Sequence, residues 1–214
     1  MKPQKICIIG DGLAGLSAAV ILSHNNITID LYGDNKSNNK LKKDNRTTAI
    51  SESSYQFIKK KLNFKRKNIF WPCKEVNLFY EDKKNIKKFL NFKPKNKNSM
   101  YIFQNMELKK NLFKQIYNKK NIKLIKKSIS NIDYKNGSVM INKKNLSYDL
   151  IILSIGSNSK LYSKITQGRS IEKNYEEIAL TTVVKHNSKT IKSSQFFLKE
   201  GPLAILPFSK NLFS

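Results

Sequence analysis

The first 34 residues pass through short apolar runs and small-residue turns in the order strand, turn, helix, strand. An apolar run at 6–9 leads into a glycine-rich turn, and the residues that follow repeat their apolar positions at helical spacing. A second strand is predicted at 27–31, where apolar and polar residues alternate. This order predicts the βαβ start of a parallel sheet.

Downstream of this unit, the same patterns predict two further helices and several strands. In chain order these are a helix at 48–62, strands at 76–80, 89–92 and 101–103, a helix at 106–117 and a strand at 122–132, which a turn joins to a strand at 138–141. The apolar run at 150–154 is predicted to be a strand buried on both faces. From Tyr175 onward only strands are predicted, with antiparallel pairing.

These elements predict an α/β fold, α+β overall, in which a Rossmann-like domain with a parallel sheet is combined with an antiparallel-sheet domain. We assign residues 1–70 and 98–160 to the first, discontinuous domain. Residues 71–97 and 161–214 are assigned to strands of the second domain.

The turn after the first strand has the GxGxxG spacing of dinucleotide-binding sites. Gly10 permits the tight turn, Gly12 lets a pyrophosphate approach the backbone, and Gly15 lets the helix pack closely on the sheet. The first helical turn, with Leu13 and Ala14, offers unpaired N–H groups and the positive end of the helix dipole. We therefore predict that these five residues bind a dinucleotide, which on this motif alone is either FAD or NAD.

Composition is ordinary except for charge. The chain has 41 Lys and Arg against 15 Asp and Glu, giving +26, a balance typical of proteins that bind nucleic acid or anionic membranes. Only three of the basic residues are arginine, and the lysines are spread along the whole chain among asparagines. Because specific nucleic-acid readers rely on arginine for bidentate contacts, we expect no nucleic-acid function. A weak attraction to an anionic membrane face is compatible with the charge.

Two cysteines, Cys7 and Cys73, are too few for a disulfide framework, and neither they nor the isolated His24 and His186 form a metal-binding motif. Cys7 is expected to be a small buried residue of the first strand. No apolar run reaches the roughly 18 residues of a membrane span. We therefore expect a cytoplasmic protein without a metal site.

Several segments together resemble the class A FAD-dependent aromatic monooxygenases, and among them the ubiquinone-biosynthesis hydroxylases. They are GDGLAG at 10–15, DNRTTAIS at 44–51, YIFQN at 101–105, YDLIILSIGSNS at 148–159, NYEEIALTTVV at 174–184 and GPLAILPF at 201–208. The last segment and RTTAIS are the more specific pieces. The resemblance covers essentially the whole chain.

The resemblance implies FAD as the cofactor and NAD(P)H as the electron donor. It implies that Arg46 lies against the phosphate and ribityl side of FAD, that Asn105 lies near the cofactor, and that Gly156 and Ser159 belong to a second cofactor motif. It also implies a ribose-binding role for Asp34, next to the position where the family has an acidic residue at the end of the second strand.

The implied reaction is hydroxylation of the ring of a prenylated phenol or quinol, using NAD(P)H and O2. The substrate would lie between the FAD domain and the sheet that contains residues 201–208. A ubiquinone-biosynthesis complex and peripheral association with the inner membrane face are the implied partners.

Three departures from the family pattern accompany the resemblance. Gly33 stands at the acidic position, Ile155 replaces the Asp before Gly156, and the sequence stops at Ser214, where the family continues through a GD-containing segment. We therefore expect an N-terminal portion of a monooxygenase with an incomplete substrate domain. The alternative is a degenerate, non-catalytic FAD- or NAD-binding module that acts as an assembly partner in a biosynthetic complex.

Overall fold

The computed structural model describes residues 3–33, 44–62, 64, 69–83, 85–156, 161–162, 173, 176–187 and 192–214. The first elements in chain order are β1 (Gln4–Ile9), α1 (Leu13–Leu22), β2 (Ile27–Tyr32), β3 (Thr47–Ser51), α2 (Glu52–Lys61), β4 (Trp71–Cys73), β5 (Val76–Asp82), β6 (Asn85–Phe92) and β7 (Met100–Gln104). They are followed by α3 (Asn105–Tyr117), β8 (Ile122–Ile125), β9 (Asn131–Asp133), β10 (Ser138–Ile141), β11 (Lys144–Ser147), β12 (Leu150–Leu153), β13 (Val184–Lys185), β14 (Ser193–Leu198), β15 (Gly201–Ile205) and β16 (Leu212–Phe213).

A four-stranded parallel sheet in the order β12-β1-β2-β8 organises the first part of the chain. Cys7 and Ile8 of β1 are fully buried, because β1 lies between two neighbouring strands. Helix α1 buries Leu16, Ala19 and Val20. The βαβ start predicted from the apolar pattern is therefore present, and the strands end at the same edge of the sheet because they are parallel.

A second sheet, β11-β10-β9, is antiparallel and contains the predicted turn and hairpin. Its buried residues join those at the ends of β1 and β2 in one apolar cluster. The members of this cluster are Cys7, Ile9, Tyr32, Ile129, Val139, Ile141 and Tyr148. Ile9 and Tyr32, the last residues of β1 and β2, belong to this cluster, so it packs around the carboxyl ends of both strands.

Two tyrosine hydroxyls form a buried polar link within this cluster. The Tyr148 hydroxyl lies 2.7 Å from the Tyr32 hydroxyl and donates to Asp30 Oδ2 at 2.8 Å. Burial, the hydrogen bonds with Tyr32 and Asp30, and the negative charge of Asp30 raise the pKa of Tyr148, so the phenol stays neutral. Lys5 lies 3.4 Å from the same Asp30 carboxylate and 4.7 Å from the centre of the Tyr148 ring. The link therefore ties β1 and β2 to the segment that enters β12.

The remaining sheets belong to a different part of the chain. Strands β15-β14-β5-β6 form a mixed sheet in which β14 is parallel to β5, and β3-β7-β4 form an antiparallel sheet. Strands β13 and β16 pair with each other. The antiparallel pairing predicted for the last strands is confirmed between β14 and β15, whereas the pairing of β14 with β5 is parallel.

The chain forms two compact units. The first comprises Met1–Lys43 and Lys109–Ile178, and the second comprises Asp44–Leu108 and Ala179–Ser214. The boundaries differ from the predicted ones, since residues 44–70 and 98–108 fall in the second unit together with the antiparallel sheets. The assignment of FAD and substrate to separate domains stays a prediction.

Three element predictions need correction. The helix predicted at 48–62 starts only at Glu52, because 47–51 is strand β3, paired with β7, and Ser51 caps the helix by accepting from the Ser54 N–H. The strand predicted at 122–132 is two strands with a break at 126–130. Residues 178–183 lie outside any strand, and Ile178 and Leu180 are 87% and 94% exposed.

The prediction that 150–154 is buried on both faces is also wrong. Strand β12 pairs only with β1 among the described residues, so it is an edge strand of the parallel sheet. Leu150 and Leu153 are 50% and 44% exposed. The apolar run showed the strand correctly, but a run of this kind does not distinguish an inner strand from an edge strand.

The overall prediction of fold class is confirmed. A parallel α/β sheet with a glycine turn coexists with antiparallel sheets in one chain. Within the described ranges, no helix is both long and apolar enough to cross a membrane.

We predict that neither cysteine reacts with Ellman's reagent in the folded chain at pH 8. Cys7 is fully buried, and burial raises the pKa of its thiol to about 12, helped by the negative charge of Asp30. Cys73 is also buried, and burial raises the pKa of its thiol as well. Denaturation should release two reactive thiols per chain.

The same shift predicts a pH dependence of stability. An unfolded thiol loses its proton near pH 8.5, roughly, whereas folded Cys7 keeps it until about pH 12. The free energy of unfolding should therefore fall as pH rises through this window, and a Cys7→Ala variant should show a smaller fall. Urea titrations of both proteins at pH 7.5 and 10 give the change in the free energy of unfolding between the two pH values. An equal change in wild type and in Cys7→Ala would contradict the prediction.

Candidate nucleotide-binding site

The turn between β1 and α1 is held so tightly that Gly10 has no room for a side chain. Its φ angle is +115°, a region that favours glycine, and its N–H donates to the Tyr32 carbonyl at 2.8 Å. A Cβ atom at this position would lie 2.2 Å from the carbonyl oxygen of Ser154. Gly10 therefore lets the turn pass directly over the end of β12.

Gly15 allows an equally close approach of the helix. A Cβ atom at Gly15 would lie 1.9 Å from the carbonyl oxygen of Gly10 and 3.3 Å from Cβ of Ser154. Helix α1 is thus seated against the turn with only backbone between them. This is the close helix packing that the third glycine of the motif predicts.

Gly12 differs from both of these glycines because it faces open space. It is exposed, and a Cβ atom built on it would have no neighbour within 4 Å among the described residues. It precedes α1 as the N-cap residue, and no side chain caps the helix there. The free space in front of Gly12 is where the motif places a pyrophosphate.

The first turn of α1 has the electrostatics that a phosphate needs. The Leu16 N–H donates to the Gly12 carbonyl at 3.0 Å, so the N–H groups of Leu13, Ala14 and Gly15 come before the first intrahelical bond. No acidic residue lies in this turn. The helix dipole adds positive potential at the same place, so the residues present fit an anionic dinucleotide.

Gly156 lies at the same edge of the parallel sheet. The Ser154 N–H donates to the Ile9 carbonyl at 2.7 Å, which holds the end of β12 beside the end of β1. Gly156 has a φ of +71° and is exposed. Ile155, at the position where an acidic residue was expected, instead packs its side chain against the apolar cluster. Ser159 lies outside the described residues.

The expected ribose-binding position at the end of β2 has an unusual arrangement. Gly33 is buried, and a Cβ atom on it would lie 2.8 Å from both Cγ and Oδ2 of Asp11. The Asp11 side chain therefore occupies the space in which a side chain at position 33 would begin. Asp34, the residue predicted for this role, lies outside the described residues.

Arg46 and Asn105 belong to the second unit, whereas the glycine turn belongs to the first. Arg46 donates from its guanidinium to both carboxylate oxygens of Asp44, at 2.7 Å each, and this pairing raises the pKa of Arg46. Asn105 donates its N–H to the Arg46 carbonyl at 3.0 Å and accepts from the Thr48 hydroxyl at 2.6 Å. The two predicted residues are thus joined to each other, and their contact with a cofactor stays a prediction.

The sequence also matches a known family model. The model for pyridine nucleotide-disulphide oxidoreductases matches residues 4–197, most of the chain. The chain belongs to the pyridine nucleotide-disulphide oxidoreductase family. No curated protein matches it in sequence.

Solved structures with the same fold include several oxygenases. PqsL, a probable FAD-dependent monooxygenase from Pseudomonas aeruginosa, superposes with a TM-score of 0.71 at 10% identity, covering 98% of this chain and 58% of PqsL. 2-Methyl-3-hydroxypyridine-5-carboxylic acid oxygenase superposes with a TM-score of 0.71 at 15% identity, covering 99% of this chain and 58% of the oxygenase. CtdE in complex with FAD superposes with a TM-score of 0.61 at 12% identity, covering 99% of this chain and 57% of CtdE. The chain thus spans somewhat more than half of the length of these proteins.

The family name refers to disulphide chemistry, and this family member has no cysteine pair suited to it. Its only cysteines are 66 positions apart in sequence, at 7 and 73, and both are free and buried. The features it shares with a nucleotide-binding oxidoreductase are the glycine turn and the parallel sheet. Any redox chemistry of this chain would therefore come from a bound cofactor and not from a thiol pair.

Two residues of the site were missed from the sequence. Ser154 was noted only as the end of an apolar run, although its carbonyl sets the space available to Gly10. The sequence pattern gives Asp11 no role. The available signal was an acidic residue in the glycine turn together with glycine at the end of the second strand. Only the structure shows that Asp11 and Gly33 touch.

We predict that the two packed glycines tolerate no side chain. Gly10→Ala and Gly15→Ala should each lower the free energy of unfolding by about 2–3 kcal/mol, since the new methyl group overlaps backbone atoms. Gly12→Ala is the matched control and should change it by less than about 1 kcal/mol. Urea unfolding followed by circular dichroism compares them, and equal midpoints for all three variants would contradict the packing argument.

Proposed function

We propose that this chain is the nucleotide-binding part of an FAD-dependent monooxygenase. The observation that carries the proposal is the open Gly12 at the start of α1, next to two glycines that admit no side chain. This geometry offers a pyrophosphate a close approach to backbone N–H groups. The FAD complex of a protein with the same fold supports FAD over NAD as the bound group.

The residues of the turn would act on the cofactor by binding and orienting it. The N–H groups of Leu13, Ala14 and Gly15 would hold the pyrophosphate, and Gly156 would let the chain pass close to the cofactor at the end of β12. When bound, FAD supplies the redox chemistry. The protein contributes position, electrostatics and exclusion of water, so no acid or base of the chain is required for this part of the function.

We further propose that the substrate is a prenylated phenol or quinol and that NAD(P)H is the electron donor. The sequence segments that resemble ubiquinone-biosynthesis hydroxylases support this substrate class. Within the second unit, Tyr80, Phe89 and Phe197 line an open concavity of about 400 Å3. An apolar surface of this kind suits the ring or the prenyl chain of such a substrate. A biosynthetic complex at the inner membrane face is the corresponding setting.

The binding part of the proposal predicts a selective loss in Gly12→Ala. The new methyl group points into the space where the pyrophosphate approaches, so we expect the Kd for FAD to rise at least about tenfold. The fold should be kept, because no described residue lies within 4 Å of that methyl group. Quenching of flavin fluorescence on titration with protein measures the Kd.

A control on the same helix separates this effect from a general one. Ser17→Ala, one turn further along α1, should leave the Kd for FAD unchanged, since Ser17 lies beyond the phosphate-binding turn. A wild-type chain that binds no FAD would overturn the proposal, as would equal affinities of wild type and Gly12→Ala.

A second function is a non-catalytic binding module, which Ile155 favours. Its side chain is engaged in the apolar cluster, so the polar group expected before Gly156 is lost. The discriminating measurement is NAD(P)H oxidation by the FAD-loaded chain with a prenylated phenol, together with detection of a product that has gained one oxygen atom. Hydroxylated product would rule out the module, whereas tight FAD binding without turnover would favour it.

A further inference from the structure

The end of β2 is where dinucleotide-binding folds of this type carry an acidic residue that binds the adenosine ribose. Here that position is Gly33, whose N–H donates to the Ile125 carbonyl at 3.0 Å. The space beside it is filled by Asp11. A Cβ atom at position 33 would lie 2.9 Å from Cβ of Asp11 and 2.8 Å from its Cγ and Oδ2. A carboxylate is therefore present next to the strand end, although it comes from the glycine turn.

We propose that the Asp11 carboxylate binds the ribose hydroxyls of the adenosine half of the dinucleotide. The inference rests on the proposed function, because it assigns a contact of the same bound cofactor. It also explains why the residue at position 33 is glycine, since any side chain there would overlap Asp11. Asp11 and Gly33 thus form one unit, in which the turn supplies the group that the strand lacks.

Two other carboxylates of the first unit, Asp30 and Asp149, lie away from this strand end. Asp30 accepts from the Tyr148 hydroxyl and pairs with Lys5, in the middle of β2 opposite Cys7. Asp149 accepts from the Lys5 N–H, just before β12 begins, and therefore lies at the opposite edge of the parallel sheet from the glycine turn. Neither can reach a ribose at the carboxyl ends of the strands.

The charge of Asp11 also determines which nucleotides fit. A carboxylate close to the pyrophosphate would repel it, but packing against Gly33 places this one at the strand end, where neutral hydroxyls are expected. A ribose with a free 2′-hydroxyl can donate to it, whereas a 2′-phosphate would be repelled. The site should therefore prefer adenosine with an unmodified ribose.

The test compares ADP with 2′-deoxy-ADP and FAD on the full 214-residue chain. Wild type should bind ADP more tightly than 2′-deoxy-ADP, and Asp11→Ala should bind both equally. Asp11→Ala should also raise the Kd for FAD about tenfold to a hundredfold, because a hydrogen bond to a charged group is lost. Asp133→Asn, which neutralises the carboxylate at the end of β9 in the same unit, is the control and should change neither value.

A rescue variant separates binding from folding. Gly33→Glu alone should lower the melting temperature, because its Cβ overlaps Asp11. The double variant Asp11→Gly, Gly33→Glu should regain both the melting temperature and the preference for ADP over 2′-deoxy-ADP. An unchanged preference for ADP in Asp11→Ala would overturn the inference.

The outcomes also distinguish this inference from the function on which it rests. If the chain binds FAD, and Gly12→Ala weakens this binding but Asp11→Ala does not, the proposed FAD site is retained and only the role of Asp11 is refuted. A chain that binds neither FAD nor ADP would overturn both.

Discussion

Three stretches of backbone meet at the end of β1 with no side chain between them, and the rest of the first unit depends on this contact. Gly10 lies over the Ser154 carbonyl, and Gly15 lies over the Gly10 carbonyl, so closely that a Cβ atom on either glycine would overlap the oxygen. Hydrogen bonds from Gly10 to Tyr32 and from Ser154 to Ile9 fix the same ends of the strands. The turn, the helix and the edge strand are therefore placed relative to one another by sterics that only glycine satisfies.

Tight packing below the turn and open space in front of it are two results of the same arrangement. The apolar cluster and the link from Tyr148 to Tyr32 and Asp30 hold the strand ends from one side. No described residue lies within 4 Å of a Cβ atom built on Gly12, and no side chain caps α1 there. Because the supporting residues are buried, the N–H groups are already in place before a ligand arrives, which lowers the entropic cost of binding.

The predictable part of this structure was encoded in local patterns. Glycine spacing and the apolar runs around it identified β1, α1 and β2, because each follows from backbone and helix geometry within about thirty residues. The exposed edge at Leu150 and Leu153, the strand at 47–51 and the parallel pairing of β14 with β5 depend on which distant strand becomes a neighbour. Spacing carries no such information, and the same limit hid the contact of Asp11 with Gly33.

Gly33 and Ile155 both depart from the pattern of the monooxygenases that the sequence resembles, but the two departures have different physical consequences. The space of the missing side chain at Gly33 is filled by Asp11, so a carboxylate lies at the end of β2. The polar group missing at Ile155 is not replaced by that residue, whose side chain instead extends the apolar cluster. The glycine turn and the end of β2 therefore keep features that the proposed nucleotide binding needs, while the residue before Gly156 is apolar. Under the proposed function, retention of the dinucleotide and turnover of the substrate would therefore depend on different residues of this chain.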